Sequence, residues 1–66
     1  MSIVMDNARK LIEEKGLKQT AVAKKAGYQY NTFNNMLNGR RIVTSEDVYK
    51  LAIALETTPN YLFGFK

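Results

Sequence analysis

Apolar residues recur along this chain at helical spacing. Val4, Ala8, Leu11 and Ile12 stand at i, i+4, i+7 and i+8, which predicts a helix over about residues 2–15 with one buried face. Ser2 is a candidate cap and Gly16 suits a left-handed residue past the end, while Arg9, Lys10, Glu13 and Glu14 fall on the wet side. A second, shorter helix is expected over about 18–26 with Val22, Ala23 and Ala26 inward, ended by Gly27. A third follows at once, from Gln29 or Tyr30 to Leu37, burying Phe33, Met36 and Leu37 before Asn38-Gly39 closes it. After the loop 40–43, Thr44 and Asp47 have the spacing of a capping box, and Val48, Leu51, Ala52 and Leu55 form the stripe of a fourth helix. Thr58 as cap and Pro59 at the first helical position open a fifth of one or two turns. No segment alternates with period two, so the fold class is all-α, five short helices in one domain over 1–66.

The residues that are missing restrict the chemistry. With 66 residues and no Cys or His, neither a disulfide nor the usual zinc site can staple the core, which must hold by packing. The same absences exclude Cys–His pairs and Ser–His–Asp triads. Glu13–Glu14 and Glu46–Asp47 are sequence neighbours, and helical neighbours diverge by about 100°, too far to work on one reacting atom. An enzyme is not expected, nor is a metal, cofactor or small-molecule ligand.

Charge is distributed unevenly. The net charge is +4, yet Lys15 through Ser45 contains Lys15, Lys18, Lys24, Lys25, Arg40 and Arg41 and no acid, whereas each flank has three acids against two cations. A basic centre between mildly acidic ends is the footprint of a polyanion-binding face. No apolar run approaches the ~20 residues of a membrane span. The first charges follow apolar residues, the reverse of a signal peptide, so the cytoplasm is the expected compartment.

The second and third helices sit close together around Gly27, a spacing that forces a sharp bend. With Phe33 and Met36 inward, the third helix turns Tyr30, Asn31, Asn34 and Asn35 outward, and Gln29 and Thr32 lie near its entrance. That surface is polar, amide-rich and uncharged, with Lys18, Lys24, Lys25, Arg40 and Arg41 around it. Amides offer a donor and an acceptor to the N6 and N7 edge of adenine, while cations contact phosphates without reading sequence. Asparagine is a mediocre helix former, and a merely solvated face would more naturally carry Lys and Glu.

The run Gln19-x2-Val22-Ala23-x3-Gly27-x5-Phe33-x2-Met36 resembles the helix-turn-helix of lambdoid phage repressors, Cro proteins and Xre-type regulators. The resemblance continues through Asn38-Gly39-Arg40-Arg41 and Leu51-Ala52-x-Ala54-Leu55 and ends at Thr58–Gly64, so it spans about residues 11–64. It implies a lambda-repressor-like fold and sequence-specific binding of double-stranded DNA by a small transcriptional regulator, nucleoid-associated and acting as a homodimer on a near-palindromic operator. Carried over position by position, it places Tyr30, Asn31 and Asn35 toward base edges, Thr32 and Asn34 beside them toward bases or phosphates, and Gln19, Asn38 and Arg40 toward the sugar-phosphate backbone; Lys18, Gln29 and Arg41, which flank these positions, are expected on phosphates as well. The chain departs from the family pattern at several positions. Lys18 and Gln29 stand where Ser or Thr usually caps a helix, Leu37 replaces a frequent acid, and Val43 a frequent proline. Glu56 takes the slot of a helix-ending glycine, so the fourth helix is expected to fray or run on there. Phe63 and Phe65 mark a candidate self-association patch, the alternative being docking onto the first helix. Two rival functions use the same residues. A protein-binding module, such as an antirepressor or antitoxin, keeps the fold. A cationic membrane-surface peptide would need an apolar face that no other helix covers.

Overall fold

The computed structural model describes residues 2–65, so the two end positions of the expected 1–66 domain lie outside the described residues. Ser2 is extended, and its hydroxyl accepts from the Met5 N–H at 3.3 Å, which opens α1 (Ile3–Glu14). There follow α2 (Gln19–Ala26), α3 (Tyr30–Leu37), α4 (Ser45–Ala54) and α5 (Pro59–Leu62), with no strand among the described residues. The expected helices are all present, and their outermost predicted residues serve as caps. Thr44 and Asp47 form the full capping box at the start of α4, and the Thr58 hydroxyl accepts from the Tyr61 N–H at 3.1 Å ahead of Pro59 in α5. Lys18 and Gln29 precede α2 and α3 in extended conformation, and neither side chain caps its helix.

The helices close on one device. A residue just past the end takes positive φ while two backbone N–H groups turn back to the last carbonyls, satisfying acceptors the helix cannot. Gly16, Gly27, Gly39 and Gly64 do this after α1, α2, α3 and α5. Glu56 does it after α4, at φ 54°, the one non-glycine residue with positive φ among those described. The expectation that α4 frays or continues is therefore corrected: it stops at Ala54, with Leu55 as cap and the Thr57 N–H bonded to the Ala52 carbonyl at 2.9 Å.

α1 packs on α3 and α5, α2 on α3 and α4, and α4 on α5, around Phe33, Met5, Met36, Leu51, Leu55 and Leu62. Met5 and Ala54 join the core although the four-residue stripes omit them, because neighbouring helices cover more than one narrow face. In α5 only Leu62 is buried; Tyr61 stays exposed.

α1 also ties down the ends of three other helices. Asn7 Nδ2 donates to the Leu62 carbonyl (2.9 Å), Arg9 Nη2 to that of Leu37 (3.1 Å) and Lys15 Nζ to that of Leu55 (2.7 Å). Arg9 is thus half-buried, not on the wet side as its spacing suggested, because the negative end of α3 lies within its reach.

Candidate nucleic-acid interface

Gly27, at φ 87°, makes the bend between α2 and α3, a conformation that a side chain would strain. Its N–H bonds to the Lys24 carbonyl at 3.1 Å and the next, that of Tyr28, to the Ala23 carbonyl at 2.8 Å. Ala23 is buried where the two helices meet. Phe33 and Met36 are fully buried on the inner face of α3, and Leu37 lies beside them in the core. The rotation of α3 about its own axis is therefore held by three side chains.

That rotation leaves Tyr30, Asn31 and Asn35 exposed, with Thr32 and Asn34 half-buried beside them. Asn34 is engaged within its helix: its Oδ1 accepts from Asn38 Nδ2 at 2.8 Å, and its Nδ2 donates to Tyr30 Oη at 3.4 Å. Asn31 and Asn35 carry neither bond. Of the expected phosphate-side residues, Lys18 and Gln19 are at the entry to α2, Gln29 at the entry to α3, and Asn38, Arg40 and Arg41 directly follow α3. Gln19 is half-buried and the others are exposed. The loop 40–43, with Ser2 and Gly39, lines an open hollow. Since α2 and α3 lack side-chain caps, the N–H groups of their first turns are left for outside acceptors, the arrangement that suits phosphate oxygens.

The basic centre counted along the sequence is partly dispersed by the fold. Lys15 is committed to the Leu55 carbonyl, and Lys25 lies 3.7 Å from Glu56 at the far end of α4. Of the six cations of that stretch, Lys18, Lys24, Arg40 and Arg41 have no such contact among the described residues.

Sequence reasoning passed over Tyr28. Its ring stacks on Phe33 with centroids 6.4 Å apart, the Lys50 ammonium sits 5.4 Å from its ring centre, and its hydroxyl donates to Asp47 Oδ1. Asp47 is buried in the first turn of α4, where its Oδ2 also accepts from the Thr44 N–H (2.9 Å) and hydroxyl (3.0 Å). Burial and the bond to Asp47 push the Tyr28 phenol well above its ordinary range, so it remains a donor. Burial works against the Asp47 charge, but the bonds from Thr44 and Tyr28 and the nearby Arg41 outweigh it and hold the carboxyl below its usual value. The signal was present in outline, an aromatic directly after the hinge glycine and an acid at a capping position, but their pairing across 19 residues has no local signature.

Other apolar side chains are exposed outside α3. Phe63 and Phe65 are 43% and 67% exposed, so neither is buried against α1, although the backbone at Gly64 comes close to Ile3 and Asn7. Tyr49 and Ile53, one turn apart on α4, are 63% and 58% exposed, and the sequence reading did not single them out. Among the described residues no helix is long and apolar enough to cross a membrane, and no group of acids stands together as a metal site.

Residues 9–62 match the helix-turn-helix family. The crystal structure of the restriction-modification controller protein C.AhdI from Aeromonas hydrophila is 31% identical in sequence and superposes with a TM-score of 0.84, covering 92% of each chain. No curated protein matches. The expectations of an all-helical repressor-like fold, of DNA binding and of a regulator in place of an enzyme agree with these likenesses. The chain belongs to the Xre-type helix-turn-helix family of DNA-binding transcription regulators.

Proposed function

We propose that this regulator reads its operator by laying α3 in the major groove, with Tyr30, Asn31, Thr32, Asn34 and Asn35 at base edges and Lys18, Gln19, Gln29, Asn38, Arg40 and Arg41 on the flanking phosphates. One observation carries the reading: an uncharged amide face on a helix whose opposite face is locked into the core by Phe33 and Met36, with cations at its exit. Uncharged amides discriminate bases, and charged groups at the rim supply affinity. In this reading the whole span 1–66 acts as one domain, in the cytoplasm and on the nucleoid.

One helix reads a short half-site, so the chain acts as a homodimer on a near-palindromic operator, with the two α3 helices about 34 Å apart. The exposed Phe63 and Phe65, joined by Tyr49 and Ile53 on α4, support self-association, since bare aromatic and aliphatic groups mark interfaces. If each protomer neutralises ~3–5 phosphates, the log–log salt slope of binding to a duplex selected from random sequence lies between about −5 and −9. The lack of a salt-dependent DNA shift, with a stable protein partner instead, would support an antirepressor- or antitoxin-like module.

A further inference from the structure

Two rows of side chains run along the open side of α3. Asn31 and Asn35 form one, a turn apart, exposed and with no hydrogen bond to each other. Tyr30, Asn34 and Asn38 form the other, with successive members also four residues apart, and these are joined: Asn38 Nδ2 donates to Asn34 Oδ1 at 2.8 Å, and Asn34 Nδ2 donates to Tyr30 Oη at 3.4 Å. Both bonds are given in the same sense, toward the start of the helix. The Tyr30 oxygen is therefore already an acceptor, and its O–H remains to be given away. At 43% exposed, Tyr30 has open solvent in which to give it.

Resting on the reading that α3 enters the major groove, we infer that this relay makes Tyr30 a one-way donor that selects a keto base at one position of each half-site, with Asn38 as the positioning residue that sets its direction. Guanine O6 and thymine O4 are keto acceptors where adenine and cytosine carry an amino donor at the matching place. It is this group that the Tyr30 hydroxyl addresses, since N7 accepts on both purines and cannot tell them apart. A hydroxyl whose oxygen is taken by Asn34 complements the first pair and opposes the second. Asn31 and Asn35, whose amides offer both a donor and an acceptor, suit adenine. The two rows thus read different bases, although the sequence shows a single polar face.

The relay has a reversible sense, which makes it testable. In Asn38→Asp the new carboxylate can only accept. Asn34 must then turn its amide toward residue 38 and its oxygen toward Tyr30, so that the Tyr30 O–H is given inward and its oxygen faces outward as an acceptor. The experiment is selection from a pool of random-sequence duplex DNA with the wild-type chain, Tyr30→Phe and Asn38→Asp, each checked for helicity. All these side chains are exposed or half-buried, and base preference is measured within each protein, so overall affinity drops out. The wild type enriches a keto base at one position per half-site. Tyr30→Phe lowers that enrichment about threefold to tenfold and leaves the adenine positions alone. Asn38→Asp binds all sites more weakly because of its charge, and prefers adenine or cytosine at that position. A motif unchanged in Tyr30→Phe, a loss spread equally over all sequences (a phosphate contact), or any result short of inversion in Asn38→Asp overturns the relay. A wild type that selects no sequence overturns the groove reading beneath it.

Discussion

Glu56→Gly isolates a conflict between local geometry and residue type. Glu56 ends α4 in the left-handed conformation at φ 54°, where the other described helices use glycine. A side chain in that conformation costs about 1–2 kcal/mol. Glycine removes the strain but adds freedom to the unfolded chain, worth about 0.4–1 kcal/mol against folding. The substitution also removes the 3.7 Å contact with Lys25, a pair with both side chains well exposed, so its loss costs a few tenths of a kcal/mol. The balance is a gain of about 0.5 kcal/mol. For a domain this small that corresponds to a rise in Tm of about 2–4 °C, since 1 kcal/mol shifts such domains by about 4–8 °C. Glu56→Ala is the control, because it loses the ion pair and keeps the strain. Thermal melts followed by far-ultraviolet circular dichroism should rank glycine above the wild type and alanine at or below it. If alanine stabilises as much as glycine, or glycine lowers the Tm, the backbone at this position is not the source of strain.

Three further outcomes are expected. Asn35→Ala costs roughly 1–3 kcal/mol on the selected duplex and blunts its base preference, whereas Arg40→Ala weakens all duplexes about equally and reduces the salt slope by about one; equal, sequence-independent losses in both would remove Asn35 from the readers. Phe33→Ala, at a fully buried position under α3, costs about 3–5 kcal/mol, comparable to the stability a core of this size supplies, so a wild-type melting curve for this variant would contradict the packing described. Because the folded state holds the Asp47 carboxyl below its ordinary value, the stability it contributes is complete above about pH 4 and is lost as pH falls through the lower folded value. The Tm of Asp47→Asn should therefore start lower at neutral pH and decline less on acidification, and parallel curves for the two proteins would show that the carboxylate bonds to Tyr28 and Thr44 add nothing.

Much of this molecule is written within four residues of each position. Caps, glycine stops and 3.6-residue stripes act between neighbours, so Thr44 with Asp47, Thr58 before Pro59, and the Val48–Leu51–Ala52–Leu55 stripe located their helices without a structure. The same locality made the amide face of α3 visible, because Phe33 and Met36 decide which way Asn31 and Asn35 turn. What only the tertiary structure decided are the pairings between distant segments. Arg9 reaches Leu37, Lys15 reaches Leu55 and Asn7 reaches Leu62, across 28, 40 and 55 residues, and Tyr28 reaches Asp47. A lysine's charge can be counted in a sequence, but whether it faces a phosphate or a carbonyl depends on which helix end the fold carries to it. The direction of the Tyr30–Asn34–Asn38 bonds belongs to the same class, for helical spacing brings those side chains together and only the rotamers they take in the folded chain assign donor and acceptor.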